Sequence, residues 1–168
     1  MDRIHDAARG GQNVLERLMN ALPGFKGYRE KELRRDADRI LRDHLAARLD
    51  LLKKALNDAA AAVTRSGALD AINDIETARK RLDRVSNRIR YADRGYAPLF
   101  AVLKIDEAAL TRVYDFDVAL MEGVDAIARA AAPAGSEGGA AAVKAMVAEI
   151  DALDARLNDR ESVLRGIQ

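Results

Sequence analysis

The chain contains no cysteine. Disulfides, thiolate metal sites and cysteine nucleophiles are therefore excluded, and the redox compartment is left open. Histidine is almost as scarce: only His5 and His44 are present, in different segments. A zinc site needs three or four Cys, His or carboxylate ligands, so one here would have to be built mainly from carboxylates. Long apolar runs are missing too. The most apolar tract, residues 126–134, is short, alanine-rich and interrupted by Arg129, well below the roughly 18 residues that argue for a membrane-spanning helix. The N-terminal residues Met1, Asp2, Arg3, Ile4, His5 and Asp6 lead into charged and glycine residues and not into the apolar core of a secretory signal, so a cytoplasmic address is expected.

Other chemistries fail on spacing. The loop Gly135-Ser136-Glu137-Gly138-Gly139 follows a helical segment and lacks the lysine and Ser/Thr of a phosphate-binding loop; it reads as a flexible linker. Ser66 sits at a turn and Ser86 among arginines, neither with a paired base. The acids Asp115, Asp117, Glu122 and Glu149 raise the idea of two metals held between inward carboxylates. Di-metal bundles, however, use Glu-x-x-His pairs, and the sequence has none. Asp117, at an apolar step of its helix, is better read as a structural acceptor that fixes packing register. His44, beside the stripe of Leu41 and Leu45, is read as a partly buried structural histidine.

What is present points to helix. Apolar residues make up 49% of the 168, mostly alanine and leucine, with 4% aromatics and three prolines, whereas β-rich chains favour branched and aromatic residues. The length suits one domain. Residues 1–21 read as a weak helical segment broken at Gly10-Gly11, and Pro23, Gly24 and Gly27 mark the first firm boundary. Residues 22–168 then read as a single domain. From about residue 29 to 65 there is no glycine or proline, and Leu45, Leu49, Leu52, Leu56, Ala59 and Val63 recur at alternating steps of four and three. At about 1.5 Å per residue such a helix runs about 55 Å. After Ser66-Gly67, Leu69, Ile72, Ile75, Leu82, Val85 and Ile89 mark a second helix packed antiparallel to the first. Gly95 and Pro98 close it. A third helix of about 25 residues is expected after an N-cap at Asp106, and a fourth after the Pro133–Gly139 loop. The fold class expected is all-α: a long antiparallel helical hairpin within a four-helix bundle, plus the short N-terminal segment.

The stretches 26–38 (Lys-Gly-Tyr-Arg-Glu-Lys-Glu-Leu-Arg-Arg-Asp-Ala-Asp) and 89–96 (Ile-Arg-Tyr-Ala-Asp-Arg-Gly-Tyr) resemble a group of uncharacterised bacterial helical proteins, over residues 22–130. That resemblance implies an all-helical fold and a bacterial origin and carries no catalytic residue with it. The excess of arginine over lysine, 21 to 7, fits a GC-rich bacterial genome.

The net charge of +1 hides an asymmetry. Residues 1–104 hold 22 basic against 15 acidic side chains, and residues 105–168 hold 6 against 12. Either the basic part serves an anionic partner, or the two parts neutralise each other across a helix interface. The start of the first long helix and the end of the second are both arginine-rich, and an antiparallel hairpin brings them to one end together with aromatics. The candidate interaction surface is therefore Tyr28, Arg34, Arg35, Arg81, Arg84, Arg88, Tyr91, Arg94, Tyr96 and Phe100. Three uses compete there: internal pairing with Glu30, Glu32, Asp36, Asp38 and the acidic fourth helix; a protein partner, since Tyr and Arg anchor interfaces; or anionic lipid or nucleic acid. The functional expectation is a non-enzymatic scaffold or adaptor without cofactors, acting on a protein partner or on itself through an exposed part of the heptad seam. The alternative is a peripheral binder of anionic membrane or nucleic acid.

Overall fold

A computed structural model describes residues 31–67, 71–92, 107–136 and 139–166. Among the described residues it is all-α, with four helices: α1 Lys31–Ser66, α2 Ile72–Tyr91, α3 Glu107–Ala131 and α4 Gly139–Gly166. The expected N-terminal segment 1–21 and the Asp106 cap lie outside the described residues.

Several of the boundaries have a local cause. Uninterrupted by glycine or proline for 36 residues, α1 stops where Gly67 takes a φ of 71°, the left-handed conformation that ends many helices. An alanine there would carry a Cβ into that conformation, so Gly67→Ala is expected to cost about 1 kcal/mol and lower the melting midpoint by about 2–4 °C. A thermal melt checks this. In α2, Asp74 lies in the first turn and Arg88 and Arg90 in the last, each matched in sign to the helix dipole. The guanidinium of Arg42 donates to the Ala92 carbonyl at 3.0 Å, satisfying an acceptor that the end of α2 leaves open. After α3, Pro133 enters a turn held by Ala134 N–H to Ala131 O at 3.0 Å and Ser136 N–H to Pro133 O at 3.1 Å. The chain then passes so close to itself that a Cβ on Gly139 would overlap the Ala134 carbonyl.

The contacts define the topology. α1 and α2 are antiparallel: Arg79 donates to Asn57 at 2.9 Å, while Ser86, further along α2, donates to Asp50, earlier in α1, at 3.1 Å. α3 and α4 are antiparallel as well. They approach closely at Gly123, where a Cβ would stand 2.9 Å from Leu153 Cδ1, and Arg156 reaches across to the Ala119 carbonyl at 3.0 Å. Between the hairpins the pairing is parallel. Lys144 meets Asp74, Arg81 meets Asp151 and Arg84 meets Asp154, a constant separation of 70 residues along α2 and α4. Arg48 to Asp125 gives a separation of 77 along α1 and α3, repeated where Asp58 lies against Gly135. Two antiparallel hairpins thus lie side by side with their corresponding helices parallel.

One core joins all four helices. Leu45, Leu49, Leu56, Ala59 and Val63 from α1 meet Ile75, Leu82, Val85 and Ile89 from α2, Val124 and Ile127 from α3, and Met146, Ile150, Leu153 and Leu157 from α4. Fully burying each of the larger of these side chains is worth about 1.5–3 kcal/mol. The heptad seam of α1 is therefore consumed inside the chain, with Leu52 partly buried against it. This corrects the expectation that part of the seam is exposed for self-association. Period and position were right, but α2 and α3 already cover that face. Among the described residues α1 exposes two large apolar side chains, Ile40 near its start and, more fully, Leu51 at 75%, one residue off the seam.

Candidate interaction surface

α2 carries six cations, Arg79, Lys80, Arg81, Arg84, Arg88 and Arg90, against Asp74, Glu76 and Asp83. Its apolar stripe of Ile75, Ala78, Leu82, Val85 and Ile89 is buried, so the cations divide between the two flanks of that stripe and the outward face.

The flank against α1 is a dense polar network. Asp50 receives Ser86 Oγ at 3.1 Å, Lys53 Nζ at 3.0 Å and the Arg90 guanidinium, and Lys53 also reaches Asp83 at 2.6 Å. Burial pushes the Asp50 carboxyl up, but the hydrogen bonds from Arg90, Lys53 and Ser86 outweigh it and hold it below the ordinary 3.8. The bonds to Asp83 and Asp50 raise the Lys53 ammonium. Ser86, only 1% exposed, is therefore a structural donor inside a hairpin.

The flank against α4 is an ion-pair ladder. Arg81 binds Asp151; Arg84 and Arg88 converge on Asp154; and Arg88 also donates to Asn158 at 2.9 Å. Helical spacing produces it, because α2 positions 81, 84 and 88 and α4 positions 151, 154 and 158 present one side of each helix. The charge asymmetry between the two parts of the sequence is used here, across an internal interface.

Of the ten candidate residues, Arg81, Arg84, Arg88 and Tyr91 are brought together on the C-terminal half of α2. Tyr28, Arg94, Tyr96 and Phe100 lie outside the described residues. The backbone of Arg34 and Arg35 belongs to α1, with side chains outside the described set. Arg84, Asn87, Arg88, Tyr91 and Ala92 line a shallow cleft of about 510 Å³, and Tyr91 is 73% exposed. Asn87 had no part in the sequence reading, and the exposed Lys80, though it lies in the basic run of the second helix, was not among the candidate residues. The signal that finds them is the spacing 80, 84, 87, 91, which places all four on the outer face of α2.

A second cleft, of about 820 Å³, lies at the opposite end among Ala62, Val63, Arg65, Ser66, Gly135, Ser136, Gly139 and Ala140. Its serines are engaged locally, Ser66 Oγ with the Val63 carbonyl at 3.1 Å and Ser136 Oγ with the Pro133 carbonyl at 2.7 Å, leaving Arg65 as its charged lining group. The acids considered for metal divide between environments: Asp117 is buried at 2%, whereas Asp115 and Glu122 are exposed. Among the described residues no group of three His, Cys, Asp or Glu is placed to hold a metal, and no helix is long and apolar enough to cross a membrane.

His44 lies half-buried on α1, one turn before Arg48, whose guanidinium bonds Asp125 at 2.6 Å. Burial, then the Arg48 charge, lower its pKa from the ordinary 6.5, against a smaller opposing pull from Asp125. The folded state thus prefers the neutral ring. The stability that this preference contributes is complete above the unfolded value of 6.5 and declines as pH falls from there toward the lower folded value. His44→Gln is expected to flatten that decline, which melts of both proteins between about pH 5 and 8 would reveal.

No family model, curated protein or solved structure matches this chain.

Proposed function

We propose that the protein is a non-enzymatic helical scaffold or adaptor that engages another protein through the C-terminal half of α2. The observation that carries this reading is Tyr91, a large aromatic left 73% exposed at the rim of a cleft shared with Arg84, Asn87 and Arg88. Tyrosine and arginine supply large contact area and planar hydrogen bonding, and they are the residues on which protein interfaces concentrate their energy. The rigid four-helix core behind them presents the cleft without ordering a loop, which limits the entropic cost of association.

The engagement of Arg81, Arg84 and Arg88 by Asp151, Asp154 and Asn158 weighs against the alternative of an anionic polymer. Tight phosphate binding needs several uncommitted cations, and this ladder satisfies three of the cations on which that reading depended.

The test is a photo-cross-linking benzoylphenylalanine in place of Tyr91, with the same group at Leu51 as the control position. A discrete protein adduct formed at Tyr91 and absent at Leu51 supports the adaptor reading. Adducts of equal yield at both positions, or none at either, count against it. Tyr91→Ala is expected to weaken the captured complex by about tenfold, about 1.4 kcal/mol.

A further inference from the structure

The outward face of α2 forms a continuous stripe: Lys80, Arg84, Asn87 and Tyr91, all exposed, at steps of four, three and four. That is the spacing by which one helix meets another along a seam, and it extends about 16 Å, three turns. Lys80 makes no ion pair among the described residues. The Arg84 side chain, although bonded to Asp154, remains 59% exposed. The molecule also contains a worked instance of what binds such a row: on the adjoining flank, which shares Arg84, α2 is met by Asp151 and Asp154 of a helix running parallel to it.

Resting on the adaptor reading, we infer that the partner presents an acidic amphipathic helix to this stripe, with carboxylates about one turn apart opposite Lys80 and Arg84 and an apolar side chain over the Tyr91 ring. Charge complementarity selects this occupant. The stripe's two cations suit two carboxylates. Asn87 can donate to either a carboxylate or a carbonyl, and Tyr91 offers a flat apolar surface with a polar tip. A nucleic acid fits less well. Glu76, exposed one turn before Lys80, opposes a phosphate chain continuing along the face, and two cations over three turns give little counterion release.

The experiment uses the full chain and two labelled, capped peptides of three heptads. One carries glutamates four residues apart and a leucine two turns beyond them; the other has glutamine in place of glutamate. Binding is followed by fluorescence anisotropy and located by backbone amide shifts. The glutamate peptide is expected to bind about tenfold more tightly than its counterpart and to shift Lys80, Arg84, Asn87 and Tyr91. Lys80→Glu, an exposed change, is expected to abolish that preference while leaving the circular dichroism unaltered. Equal binding of the two peptides, shifts located elsewhere, or tighter binding of an oligonucleotide or of phosphatidylserine vesicles to the same residues would overturn the inference. If the Tyr91 cross-link captures a partner and the glutamate peptide shows no preference, this inference fails and the adaptor reading stands. If the peptide behaves as expected and no partner is captured, it is the adaptor reading that fails.

Discussion

Leu82→Ala is expected to lower the stability of the chain by about 3 kcal/mol and its thermal midpoint by about 6–12 °C. Leu82 is 0% exposed, in the middle of α2, inside the core cluster that all four helices share. Removing three carbons there forfeits transfer energy and opens a cavity that the backbones of helices fixed by ion pairs on both flanks close only in part. Urea unfolding of the variant beside Leu51→Ala gives the measurement an internal scale. Leu51 is 75% exposed, and its truncation should change stability by no more than about 0.5 kcal/mol. If Leu51→Ala proves as costly as Leu82→Ala, the outer face of α1 is covered in solution, and an exposed position elsewhere must replace Leu51 as the cross-linking control.

How much of this was legible in the sequence differs by feature. The heptad spacing from Leu45 to Val63 reported α1 correctly, because a side chain that must be buried every three or four residues leaves a period no surface requirement erases. Gly67 announced the end of α1 and Pro133 the turn after α3 through their backbone preferences. The pairing of hairpins was legible in the charges, which offered the fourth helix to the arginines of the second, but not in the apolar pattern. Apolar periods state which face of a helix is buried but not which helix covers it, and here the covering helix of α2 is α4, in parallel, with α3 placed beside α1. For the same reason the exposed reach of the seam was misjudged: one additional neighbour buries it. The charge asymmetry admitted two meanings, and the ladder from Arg81 to Arg88 assigns it largely to internal neutralisation. Asn87 escaped attention, and Lys80 stayed outside the candidate surface although it lies in the basic run of α2, because an exposed polar residue on a helix carries no periodic constraint of its own. They gain meaning only once the neighbouring positions are seen to be occupied from within.

Asp154→Ala tests that division of labour. Asp154 has a side chain only 16% exposed and accepts from both Arg84 and Arg88. Truncating it leaves two guanidiniums side by side at a partly dry interface, so the loss is expected to be about 2 kcal/mol, between the small value of a surface pair and the larger cost of stranding a buried charge. Asp151→Ala is the comparison, since it removes an acid that is 46% exposed from an arginine that is 38% exposed, and should cost about 0.5 kcal/mol. The two variants also separate structure from recognition. With its internal carboxylate gone, Arg84 presents its whole guanidinium to the outer stripe, so Asp154→Ala should bind the glutamate peptide more tightly even as it melts earlier. A protein that loses stability and gains affinity through one substitution shows that the acidic helix α4 and the external partner compete for the same cation. One that loses both shows that Asp154 serves the partner as well, by holding Arg84 in place.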